Sequence, residues 1–107
     1  MRVWRLRPGV TDMHCAEVRF SSHAIRRMFE RGLKTEDIRA VLQTGEPIED
    51  YPDDTPFPSV LLLGFIRRTH LHVVVGFDSH GEVCYVVTAY EPSPDLWEPG
   101  FKTRRRR

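Results

Sequence analysis

The sequence predicts an α+β fold: a short N-terminal strand, then two helices packed on one face of a 3–4-stranded antiparallel sheet. Two observations carry that expectation. Two stretches, one closed by Gly32 and one by Gly45, set apolar residues at helical spacing behind a Ser or Thr. Three β-type runs then follow, SVLLLGFI, HLHVVVGF and VCYVVTAYE, joined by the hairpin-length connections RRT and DSHGE.

Taken in order, EVRF (17–20) is the first strand, and Ser21 or Ser22 is placed to cap the helix that follows. At 100° per residue, Ala24, Ile25, Met28 and Phe29 fill one arc of that helix and are expected to be hidden. Arg26, Glu30, His23, Arg27 and Arg31 fill the other, with Arg26 and Glu30 spaced to pair. Thr35 is the expected cap of the second helix, whose first turn carries Glu36 and Asp37, favourable to the helix dipole. Ile38, Val41 and Leu42 form its buried stripe. EPIEDY begins a strand, YPDDTPFP is an acidic proline-rich loop, and regular structure ends after EPSPDLWEPG. With both helices on one sheet face, the other is left partly open for a site or a partner.

A chain of 107 residues is one domain with a single modest core. It divides into an N-terminal extension (1–16), one α+β domain (17–102) and a basic tail (103–107). No stretch approaches the ~20 apolar residues that span a bilayer, and MRVWRLRPGV lacks a signal-peptide core, so the chain reads as cytoplasmic. Cys15 and Cys84 make neither a disulfide framework nor a zinc spacing, and Cys84 reads as a buried thiol. The net charge of +1 conceals segregation: residues 1–39 carry +4, residues 40–101 carry −8, and KTRRRR carries +5. The basic parts can draw a polyanion although the whole is nearly neutral.

His23, Arg27 and Arg31 lie in one row at i, i+4, i+8. Such a row is either a solvated face or a set of guanidinium forks for phosphate, with a histidine able to move a proton near neutral pH. His70 and His72 share a strand face, but no third metal ligand is placed, so neither metal nor cofactor is expected. Thr88 and Tyr90 share a face near the end of the last strand, where a tyrosine packs, stacks on a base or donates to a phosphate. Five carboxylates between Glu46 and Asp54 would repel RNA beside the arginine row; they could instead hold a metal or the tail.

HAIRRMFERG, VLQTGEPIEDY, LLLGF, LHVVVGF and VTAYEP…W…FK together resemble the successive motifs of a bacterial domain-of-unknown-function family, over roughly residues 20–102. The resemblance implies a fold similar to RelE-like and barnase-like (BECR-fold) toxin ribonucleases, and a partner of the zinc-finger, helix-turn-helix antitoxin kind (MqsA type). The motif positions fall on His23, Arg27, Arg31, Glu46, Tyr51, His72, Thr88 and Tyr90. What it implies is a toxin-type, metal-independent endoribonuclease acting on single-stranded or ribosome-associated RNA. The expected mechanism uses His23 and His72 as a base–acid pair in either order, Arg27 and Arg31 as the phosphate clamp, and Tyr90 to orient the substrate or stack a base. Arg26, Thr88, Arg104, Arg105, Arg106 and Arg107 would add RNA affinity. The alternative is a non-catalytic module binding a protein or nucleic acid. The nuclease expectation requires the early helix and the late strands to share one crevice.

Overall fold

The structure, a computed structural model, describes residues 14–106. Ser21 opens α1 (Ser22–Arg31): its extended backbone lets the hydroxyl accept from the Ala24 N–H at 2.9 Å, satisfying one of the donors a helix start leaves unpaired. The same oxygen donates to the Val87 carbonyl at 3.0 Å, fastening the helix start to the sheet. Gly32 closes α1 at φ 68, a left-handed conformation that glycine adopts without a Cβ penalty.

α2 (Thr35–Thr44) is capped differently from the expectation. Lys34, not Thr35, is the cap residue, and its N–H donates to Asp37 Oδ2 at 2.8 Å. Asp37 is buried, and Arg67 donates to the same oxygen at 2.9 Å. The carboxylate is therefore fixed where the helix start needs an acceptor, and the Thr35 hydroxyl is not required. At the far end, a Cβ on Gly45 would stand 2.6 Å from the Val41 carbonyl oxygen. One on Gly64 would stand 2.5 Å from Val41 Cγ2, so α2 rests directly on the sheet backbone.

The sheet has five strands in the order β1-β5-β4-β3-β2: β1 (Glu17–Phe20), β2 (Glu46–Tyr51), β3 (Ser59–Ile66), β4 (Thr69–Asp78) and β5 (Val83–Tyr90). β2 to β5 form the expected antiparallel meander, but β1 joins it in parallel to β5, so the sheet is mixed. The two helices carry the chain from one sheet edge to the other, which leaves β1 beside the last strand. The β3–β4 hairpin turns through Arg67 and Arg68, both at positive φ, as a two-residue hairpin loop demands.

The core lies between the helices and one sheet face. Ala24, Met28, Ile38, Val41 and Leu42 meet Val60, Leu62, Leu71, Val73, Val75, Phe77, Cys84, Val86 and Ala89. The expected apolar arc of α1 is only half used: Ala24 and Met28 are buried, whereas Ile25 is 56% and Phe29 87% exposed. β1 pairs only with Val83–Val86, so on that edge of the sheet no described strand continues beside Val87–Tyr90 under that flank of α1. Arg26 does not pair with Glu30; Arg27 does, at 3.5 Å. Cys84 is not a free thiol but is disulfide-bonded to Cys15, because the parallel pairing of β1 delivers Cys15 to the start of β5. Among the described residues no helix is long and apolar enough to cross a membrane.

Candidate functional site

Strand register builds the opposite sheet face as three rows. One runs Glu46, Leu63, His72, Tyr90; the next Glu49, Leu61, Val74, Thr88; the third Tyr51, Ser59, Gly76, Tyr85, Arg19. The alternation of side chains along a strand fixes this membership. A bulge at Val87 exchanges the parity of β5, letting Val86 and Ala89 both reach the core while Thr88 and Tyr90 stay on the open face.

This face is covered at both ends. The segment after β5 folds back over the first row: Trp97 is buried with its ring edge-on to His72 at 4.5 Å, and Phe101 packs on His70 at 4.8 Å. Lys102 pairs with Glu46 at 3.0 Å, so part of the acidic segment does hold a residue that follows the strands. Arg104 forms a β-bridge with Trp97 and lies over its ring at 5.6 Å, while Arg105 donates to the Leu96 and Pro94 carbonyls. At the other end the loop after β2 covers the third row, stacking Phe57 on Tyr85 at 5.1 Å and 8°. Between these covers runs a strip, the trough, formed by the middle row, in which Leu61 is buried, Val74 and Thr88 are half-buried and Glu49 is exposed.

Two tyrosines and an arginine lie at this trough. Burial pushes the Tyr90 hydroxyl up, with Tyr51 adding to the shift and Arg104 opposing it. Burial likewise raises Tyr51, reinforced by Glu49 and Asp54 and again opposed by Arg104. The two phenols and the guanidinium are thus within electrostatic reach of one another. Behind Tyr90 sits His72, 0% exposed, with Nε2 at 2.8 Å from the Phe101 carbonyl and Nδ1 at 3.2 Å from the Tyr90 hydroxyl. Burial depresses its pKa, against the pull of the Phe101 bond, and His70 adds to the depression.

That pairing fixes the protons. A carbonyl only accepts, so Nε2 carries the hydrogen; a neutral imidazole then has a bare Nδ1, and the Tyr90 O–H must donate to it. The lone pairs of the Tyr90 oxygen are left for a donor arriving in the trough. Among the described residues no three His, Cys, Asp or Glu side chains are grouped to share a metal ion.

The site residues read from the sequence divide into two sets. His72, Tyr90, Thr88 and Arg104 come together on the open face. His23, Arg26, Arg27 and Arg31 are exposed on α1, which covers the other side of the sheet. Arg31 lines a small cleft there of about 110 Å³ with Ile66, Arg67 and Leu71. α1 packs on the core face of the sheet and His72 belongs to the opposite face, so among the described residues the α1 row and His72 are not brought to one crevice. Arg105 is engaged in backbone and Glu98 contacts, Arg106 is exposed, and Arg107 lies outside the described residues. Trp97, Phe101 and the full part played by Tyr51 were missed; the isolated Trp in a proline-rich stretch was the available signal.

The profile of a family described as a domain of unknown function, DUF4258, matches residues 20–91. The chain belongs to the DUF4258 family. The matched segment of this DUF4258 chain holds α1, α2, β2 to β5, Tyr51, His72 and Tyr90, while Trp97, Phe101 and Arg104 follow it. Comparison with curated proteins and with solved structures found no match.

Proposed function

We propose that this DUF4258 chain is a metal-independent endoribonuclease of the toxin kind, acting on single-stranded or ribosome-associated RNA in the cytoplasm, with the open-face trough as its active site. The observation that carries the reading is the oriented Tyr90–His72 pair beside Arg104. A phenol whose hydrogen already points into a buried, neutral imidazole is an acceptor toward the trough. A ribose 2′-hydroxyl is the donor it suits.

In the proposed reaction the 2′-oxygen attacks phosphorus as its proton passes to Tyr90 while the Tyr90 proton passes to His72 Nδ1. The P–O5′ bond breaks, leaving a 2′,3′-cyclic phosphate, and the 5′-oxygen takes a proton from water in the open trough. His72 then returns its proton to solvent through Tyr90. Arg104 stabilises the charge on the equatorial oxygens. His23, Arg27 and Arg31 take no catalytic part.

The test is cleavage of single-stranded RNA by the purified chain in EDTA. Accumulation of 2′,3′-cyclic ends, lost in Tyr90→Phe, supports the proposal; intact RNA at all protein concentrations removes it. A second reading, a binding module without catalysis, draws on exposed Ile25 and Phe29 next to Arg26 on α1. An apolar pair beside a cation suits an acidic amphipathic segment, such as one from an antitoxin of the MqsA type. Growth arrest on expression alone, relieved by Tyr90→Phe, separates the two.

A further inference from the structure

Beside the trough, under the loop after β2, lies a cavity of about 310 Å³ lined by Asp54, Pro56, Phe57, Ser59, Tyr85 and Val87. Its walls are apolar and aromatic, with a single charged group among them. Asp54 is oriented rather than free: Ser59, buried in β3, donates its hydroxyl to Asp54 Oδ2. Oδ1 takes no hydrogen bond from any other described residue. The floor is Gly76, where a Cβ would stand 3.7 Å from the Pro58 carbonyl oxygen and 3.9 Å from Phe57 Cβ. The loop is therefore seated on the sheet, with the Phe77 N–H bonded to the Pro58 carbonyl at 3.0 Å.

We propose that this cavity is a nucleobase subsite selective for guanine. The inference rests on the ribonuclease reading and names the base next to the phosphate that the trough would hold. The volume is at the small end for ligand pockets, suited to one heterocycle rather than an extended molecule. Aromatic walls take the π-face of any base; the carboxylate makes the choice. Guanine alone presents two adjacent donors, N1–H and the N2 amino group, to a pair of carboxylate oxygens. Adenine and cytosine put a ring acceptor beside their amino group, and uracil flanks its single N–H with carbonyls. Those arrangements set lone pairs against Asp54.

Position supports the assignment. Ser59 and Gly76 are two residues along their strands from Leu61 and Val74 of the trough floor, about 6.6 Å at strand rise. The His72–Tyr90 pair is two residues farther along β4, about 13 Å from Gly76 at strand rise, so a phosphate at Tyr90 and Arg104 and a base under Phe57 meet separate groups. Asp54 repels a phosphate from the cavity while accepting from a base. The acidic loop, a liability for RNA binding when read as charge alone, becomes the reader of the base.

The experiment measures binding of guanosine, inosine and adenosine to the full chain by calorimetry, and maps cut positions on RNAs of mixed sequence. Guanosine binds tightest, inosine, lacking the N2 amino group, about tenfold weaker, and adenosine weaker still. Asp54→Asn, which replaces one acceptor by a donor, removes the preference; Ser59→Ala, which frees the carboxylate, reduces it. Equal affinities for the three nucleosides, or cleavage indifferent to guanine, overturn the subsite while leaving the nuclease reading intact. Guanosine selectivity that depends on Asp54, in a chain that cuts no RNA, upholds the subsite and sinks the nuclease reading.

Discussion

Replacing Tyr90 by Phe isolates the proton arrangement on which the site depends. The ring is kept, so packing against His72, whose centroid lies 5.3 Å away, is retained and only the hydroxyl is lost. His72 Nδ1 then has no donor, and its ring is fully buried. A tautomer flip gives no relief, because it would take the hydrogen from Nε2 and leave the Phe101 carbonyl unpaired at 2.8 Å. A buried acceptor left without a partner costs about 1–3 kcal/mol. Urea unfolding at pH 7.5 should show that loss as a lower midpoint at constant slope. The double variant Tyr90→Phe/His72→Phe should lose less than the sum of the singles, because each removes the same bond. A Tyr90→Phe stability within about 0.5 kcal/mol of the parent, with an additive double variant, would refute the donor assignment. RNA cleavage, if Tyr90 is the relay, falls about 10²- to 10⁴-fold in the same variant.

Burial holds the His72 pKa below its ordinary value of 6.5, so the unfolded chain binds the extra proton first. The stability His72 contributes is complete above pH 6.5 and declines as pH falls below it; thermal melts from pH 7.5 to 5.5 should show this, and His72→Phe should flatten the decline. Gly64→Ala would force a Cβ to within 2.5 Å of Val41 Cγ2 and should cost about 1–3 kcal/mol in urea unfolding. Trp97→Ala removes the roof over His72 and should cost about 3–5 kcal/mol, with hydrogen exchange accelerating in β4 ahead of α2.

The meander and both helices were legible because their signals are local. Ser21 and Gly32 bracket α1, and the apolar runs of β3, β4 and β5 are each bounded by turn residues. What escaped depends on contacts distant in sequence. The pairing of β1 with β5 joins Glu17 to Val83, and the disulfide follows from that pairing, not from the spacing of Cys15 and Cys84. Helical periodicity shows which residues of α1 are apolar but not how much of the arc is covered; Ile25 and Phe29 stay largely exposed. Period-two alternation placed His70 with His72 and Thr88 with Tyr90, but that the two pairs share a face is set by the β4–β5 register. It gave no means of knowing that the helix row lies behind the sheet, or that the chain returns after Pro94 to set Trp97 and Arg104 over that face. A run of arginines reads as a tail until its backbone is seen bridged to a tryptophan.

The most direct test compares two sets of substitutions in one assay. Purified chain is incubated with single-stranded RNA in EDTA, and initial rates are measured for His23→Ala/Arg27→Ala/Arg31→Ala and for Tyr90→Phe/Arg104→Ala. Cleavage preserved in the first variant and lost at least a hundredfold in the second, both remaining folded, is the predicted result. The reverse pattern, with activity following the α1 row and indifferent to the trough, would contradict the placement of the site.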